Sequence, residues 1–340
     1  MSVDPKLSGF IWSVADLLRG DYKQSEYGKV ILPFTVLRRF DSVLAPTREA
    51  VYQRDASYSG QTPSAVLKAA ARLPFYNLSA QNFATIGADP ANVRKNLTDY
   101  VLGFSSEISE IIDRYDFHVQ IERLDAAGLL YLVVQKFADP ELDLSPARVS
   151  NHDMGYLFED MIRRFSELSN ETAGEHFTPR EVIKLMVELL LAADEEALTG
   201  PAPVVNILDP ACGTGGMLAA AEEHIHDLNP HARVNLYGQE INAESYAICK
   251  SDLLMKGYDE KRSDIVFGNS FSVDGHNGRT FRYMLANPPF GVEWKKVADE
   301  IKTEAETLGY AGRFGAGLPR INDGSFLFLQ HMLSKMKPVE

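Results

Sequence analysis

Cysteine is nearly absent from this 340-residue sequence: only Cys212 and Cys249 occur. Two so widely spaced exclude a disulfide framework and a zinc site, so no metal is expected and a reduced, cytoplasmic setting fits. Long apolar runs are also missing. No segment approaches the roughly 18 apolar residues of a membrane span, and the opening MSVDPKLSGFIW lacks the basic stretch and apolar core of an export signal. The expected protein is neither exported nor embedded in a membrane. Positive charge is scarce as well, 34 Lys and Arg against 47 Asp and Glu, for a net charge of -13. A chain that grips nucleic acid alone usually has a basic surplus. Here, either the basic residues gather on one face, a partner supplies the grip, or the acidity serves solubility alone. Internal repeats and low-complexity tracts are absent. The rest is ordinary: 45% apolar and 24% charged residues, in a chain long enough for two domains.

Periodicity divides the chain. Between Leu7 and about Ala50, residues such as Phe10, Ile11, Val14, Leu17 and Leu18 recur at helical spacing, and Val30 to Phe40 reads the same way, each with one apolar face. Turn-forming residues from Ala56 to Ser64 interrupt the pattern, and helices resume, including Glu107–Ile112 and Ala126–Phe137. Residues 1–150 are therefore expected to form a helical domain, with Asp139–Asp153, carrying Pro140 and Pro146, as the connection. From 151 to 340 a second domain is expected. Four apolar runs there, 204–211, 234–241, 264–271 and 281–290, read as buried strands ending in turns. Helices over 217–226 and 243–255 fill the first two intervals, a rhythm that argues for βαβ units and a parallel sheet.

The strongest local feature is ILDPACGTGGML (207–218), an apolar strand that ends at Asp209 and runs through a glycine turn into a helix. Gly213, Gly215 and Gly216 permit a sharp turn and close approach to a ligand, and the helix start offers free N–H groups. In an open parallel sheet such a turn lies where ligands bind. Met217 stands where a phosphate-binding loop carries Lys, which disfavours nucleoside triphosphates. Glu240, closing the next strand, is placed to accept from a ribose diol. These features indicate a nucleoside-containing ligand and leave its identity open.

NPPFG (287–291) narrows the choice. Pro288 and Pro289 fix the backbone and remove donors, so the Asn287 side chain and the Pro288 carbonyl face an incoming amino group as acceptors. Phe290 can stack on the ring that carries that amino group.

With these motifs, the chain resembles the modification (M) subunit of type I restriction systems, within the amino-methyltransferase class of S-adenosylmethionine enzymes. The likeness runs from LRGDYKQSEYGKVILPFTVLRRFD through GEHFTPREVIKLM and DPACGTGGML to NPPFG, nearly the whole chain. It implies an α/β protein: a helical N-terminal domain that docks a partner, followed by a Rossmann-like S-adenosylmethionine-dependent methyltransferase domain. The resemblance puts Glu175, His176, Phe177, Thr178, Pro179 and Arg180 against the methionine end of the cofactor. It gives Asp209, Gly213, Thr214, Gly215 and Gly216 the methionine and sugar, Glu240 the ribose hydroxyls, and Asn269 the cofactor adenine. Asn287, Pro288, Pro289 and Phe290 would hold a flipped adenine of double-stranded DNA with its N6 facing the methyl group. The implied partners are a specificity (S) subunit that reads the sequence, a second M subunit and a restriction (R) subunit.

Such a sheet has about seven strands and only four can be placed here, so a truncated form that methylates poorly alone is expected. Two other readings stay open: methylation of a protein glutamine, and a non-catalytic assembly module. A dehydrogenase is more distant, because GTGGML lacks the usual G-x-G-x-x-G.

Overall fold

A computed structural model describes residues 5–169, 178–289, 291 and 293–338. It divides into two compact units, one of residues 1–173 with 250–259, the other of residues 174–249 with 260–340.

The first unit is helical: α1 (Pro5–Leu18), α2 (Tyr27–Leu44), α3 (Arg48–Ala56), α4 (Ser64–Ala71), α5 (Phe83–Gly87), α6 (Val93–Leu102), α7 (Ser106–Arg114), α8 (Phe117–Ala126), α9 (Leu130–Phe137) and α10 (Asn151–Ser169). Its centre is α2. Rather than one apolar face, α2 buries residues on every side, Val30, Ile31, Leu32, Phe34, Val36, Leu37 and Phe40 among them. A helix apolar all round belongs inside a bundle. Phe34 stacks on Phe137 at 5.2 Å and meets the edge of Phe117 at 5.0 Å. The single helix expected over Ala126–Phe137 is two. Gly128, at φ +69, ends α8, and Leu129 N–H returns to the Leu124 carbonyl, a glycine helix stop.

Arg38 and Arg39 look from sequence like an exposed basic pair, and the structure corrects this. Arg39 is fully buried. It donates to the carbonyls of Leu144 and Val149, the latter at 2.8 Å, and to Asn151 Oδ1 at 2.7 Å. Arg38 reaches the Leu142 carbonyl at 2.8 Å. The proline-bearing connection is thus strapped to α2, because its turn carbonyls lack helical partners and need donors.

The second unit contains α11 (Arg180–Ala192), α12 (Glu195–Leu198), β1 (Val204–Asp209), α13 (Gly216–Leu228), β2 (Arg233–Glu240), the start of α14 (Ala243–Met255), β3 (Ser263–Phe267), β4 (Tyr283–Met284), α15 (Ala298–Leu308) and α16 (Ser325–Ser334). Among the described residues the sheet has the order β3-β2-β1-β4, and every pairing is parallel. Val205, Ile207 and Leu208 of β1 and Val234 and Leu236 of β2 are buried, as strands covered on both faces require. Two strands are shorter than their apolar runs. β3 stops at Phe267 because Gly268 sits at φ +150 and Asn269 Oδ1 then turns the chain by accepting from Phe271 N–H at 2.9 Å. In the fourth run Phe281 instead bridges to the segment after α16, bonding Lys335 O and Lys337 N.

Candidate active site at the carboxyl edge of the sheet

Parallel pairing carries the carboxyl ends of all four strands to one edge, so Asp209, Glu240, Asn269 and Asn287, far apart in sequence, each lie beyond the end of a strand there. The glycine turn is the best-defined part. Asp209 ends β1, is buried, and accepts from Ala211 N–H at 3.0 Å. Burial pushes its carboxyl up to about 7, the Ala211 bond pulls it down, and the nearby charge of Glu240 raises it further. Glu240 braces the turn from the neighbouring strand: Oε2 accepts from Gly213 N–H at 2.8 Å and Oε1 from Asn242 N–H at 2.7 Å. Both of its oxygens are thus engaged by backbone, one in the glycine turn and one in the segment that follows β2.

Gly215 has two reasons to be glycine. Its φ is +87, and a Cβ there would lie 2.8 Å from Cys249 Sγ. Gly238 on β2 is similarly tight, 2.9 Å from Cys212 Sγ by the same measure. Both thiols are buried. Contact with Cys249, then burial, pushes the Cys212 thiol well above its usual range, so Cys212 is a packing residue, not a nucleophile. From Gly216 the chain enters α13, whose first N–H groups lack helical partners.

The Asn-Pro-Pro turn meets a second motif. Asn287 Nδ2 donates to Thr178 Oγ1 at 2.8 Å. With the amide nitrogen engaged, Oδ1 is turned to the acceptor role, together with the carbonyl of Pro288. Pro179 caps α11, and Arg180 is its first residue. Asn269 spends Oδ1 on its own turn, which leaves Nδ2 for a ligand. Glu175, His176, Phe177 and Phe290 lie outside the described residues.

Two residues that sequence reading passed over support this edge. Gln239 is buried and bridges the Val273 carbonyl (2.9 Å) and Gly275 N–H (3.1 Å). Ser270 Oγ donates to the Pro210 carbonyl at 2.6 Å. Only the neighbouring apolar periodicity hinted that a buried glutamine would need such partners.

A glycine turn opening a helix after an inner strand, within the parallel order β3-β2-β1-β4, is a Rossmann-like arrangement. The methyltransferase subunit of a type I restriction-modification system from Streptococcus thermophilus shares the fold, with a TM-score of 0.68 over 99% of this chain and 73% of that one, at 18% identity. The chain belongs to the N-6 DNA Methylase family, which it matches over residues 149–339. Residues 7–137 match the HsdM N-terminal domain. Among curated proteins it is similar to the type I restriction enzyme MjaIX methylase subunit of Methanocaldococcus jannaschii, 24% identical over 98% of this chain and 59% of the relative. The HindI methylase subunit of Haemophilus influenzae is 28% identical over 59% of this chain and 42% of its own length. The chain thus spans about half the length of these two relatives. Among the described residues no helix is long and apolar enough to cross a membrane.

Proposed function

We propose that the chain is the modification subunit of a cytoplasmic type I restriction-modification system, transferring a methyl group from S-adenosylmethionine to N6 of adenine in double-stranded DNA. The observation that carries this is the bond from Asn287 to Thr178, which ties the Asn-Pro-Pro turn to the start of α11, while Leu285 N–H bonds the Leu208 carbonyl next to Asp209 at 3.0 Å. The residues suit the cofactor. Gly213, at φ +55, and Gly215, at φ +87, hold the turn in a backbone form that residues with side chains rarely adopt, Glu240 at the end of the neighbouring strand would take the ribose hydroxyls, and Asp209 would offer a carboxyl for the methionine and sugar side. Thr178, Pro179, Arg180, Thr214, Gly216 and Asn269 would complete the pocket, with Glu175, His176 and Phe177 carried over by resemblance.

When bound, S-adenosylmethionine supplies an electrophilic methyl on a sulfonium sulfur. Asn287 Oδ1 and the Pro288 carbonyl would accept the two N6–H groups, raising electron density on the nitrogen that takes the methyl; the S–C electron pair would stay on sulfur, and one of the two N–H protons would then pass from these acceptors to water. Pro289 keeps the turn rigid, and Phe290 would stack on the flipped base. Sequence reading falls to a specificity subunit, with a second modification subunit and a restriction subunit joining. Docking of that partner is assigned to the helical unit.

The test is calorimetric titration with S-adenosylmethionine of the parent chain and of Asp209→Ala, followed by transfer of labelled methyl to DNA with the specificity subunit present. Cofactor binding lost in the variant, and label on adenine N6, support the reading. Label on protein, or cofactor binding indifferent to Asp209, would overturn it.

A further inference from the structure

Past the catalytic turn, residues 293–321 build a small lobe around a core of Phe271, Trp294, Ala298, Ile301, Phe314 and Leu327. The lobe is tied to the site. Arg313 donates to the carbonyls of Ser270 (2.6 Å) and Phe271 (2.8 Å) and pairs with Glu304 (2.6 Å), while the Ser270 hydroxyl holds the carbonyl of Pro210, next to Asp209. At the loop's far end, Trp294 donates from its indole to Arg320 O (2.8 Å) and from its backbone to Ile321 O (3.0 Å).

The intervening loop, GYAGRFGAGLPR (309–320), contains no Asp or Glu. Its backbone closes on itself: Gly309 sits at φ +50, and a Cβ on Gly315 would lie 2.3 Å from the Gly309 carbonyl and 2.5 Å from Tyr310 N. Only two glycines permit that approach. On this braced peptide stands Tyr310, 88% exposed, the most exposed large apolar residue among those described. An aromatic ring held in water on a pinned backbone forgoes burial in the fold and loses little freedom on stacking.

We propose that Tyr310 stacks on a nucleobase of the DNA entering the Asn287 site. This rests on the methyltransferase reading above. The lobe's attachment through Ser270 to the glycine turn places the ring on the same body as the site, and the loop adds no carboxylate of its own to repel phosphates, while the Glu304 carboxylate packed against it is paired with Arg313. Extruding the target adenine opens a gap in the stack, and a base face exposed there can be stacked on without a sequence match, so Tyr310 holds the opened duplex while the specificity subunit chooses it.

The experiment compares parent, Tyr310→Ala, Tyr310→Phe and Tyr310→Trp in complex with the specificity subunit, on a duplex that carries its site. Expected results are unchanged cofactor affinity and assembly, a KM for DNA raised roughly tenfold in Tyr310→Ala, recovery in Tyr310→Phe, and indole fluorescence in Tyr310→Trp quenched by the duplex. An alanine variant that methylates as the parent does overturns the proposal and leaves the function intact. So does one that loses the specificity subunit, since the ring is then a protein contact. A parent that transfers no methyl to DNA ends both readings together.

Discussion

The two units use polar groups to opposite ends. In the helical unit, Arg39 is spent on the fold: its donors go to two carbonyls and an amide of the connection. In the sheet unit, Asp209 holds its turn through Oδ1 and Asn287 its tie to Thr178 through Nδ2, and neither contact uses the second polar atom of the side chain. A polar group satisfied by the fold stabilises it, whereas a group left with spare acceptors is an unfinished contact that a ligand completes.

Substitutions test that contrast. The largest effect is expected at Asn287, where Asn287→Ala removes an acceptor and the tie to Thr178: kcat should fall about 10²–10³-fold with cofactor affinity within a few-fold, as single-turnover methylation and calorimetry would read. Equal losses in both would make Asn287 a fold residue like Arg39. Next comes Arg39→Met, which keeps volume but leaves the Leu144, Val149 and Asn151 acceptors without their donor. Urea unfolding should show a loss of roughly 3 kcal/mol, with cofactor affinity unaffected.

Asp209→Asn should act in the reverse sense. The folded carboxyl is raised to about 7, above its unfolded value, so the parent loses stability as pH climbs from about 4 to 7. The variant should therefore be more stable than the parent at pH 8 by roughly 1–3 kcal/mol, equal to it near pH 4, and poor at binding cofactor. A variant less stable at pH 8 would place Asp209 with the structural groups. The smallest effect concerns His331, whose imidazole burial lowers to about 4. The unfolded chain takes up that proton first, so stability should fall as pH drops from about 6.5 to 4. His331→Gln should flatten that slope by up to one proton, measured as Tm against pH.

The four strands and the glycine turn were readable because parallel strands are covered on both faces and appear as continuous apolar runs, while glycine at a strand end marks a conformation other residues rarely adopt. Asn287 was readable for the same local reason, flanked by prolines that fix its turn. Arg39 was not: an arginine pair on a helix looks alike whether it meets water or carbonyls more than 100 positions away. The Thr178 bond was hidden likewise, since Thr178 and Asn287 are 109 positions apart and neither carries a mark of the other. Short-range patterns reveal elements and turns, and partners joined by the tertiary fold need coordinates.

The two sulfurs beneath the glycine turn have a practical consequence. Cys212 and Cys249 are the chain's only cysteines, and both are buried against glycines of the turn and its neighbouring strand. A thiol reagent can reach them only when that packing opens, so alkylation kinetics, followed by mass spectrometry, form a built-in clock for breathing of this one region. The clock needs no added probe, and any small molecule that clamps the turn should slow it.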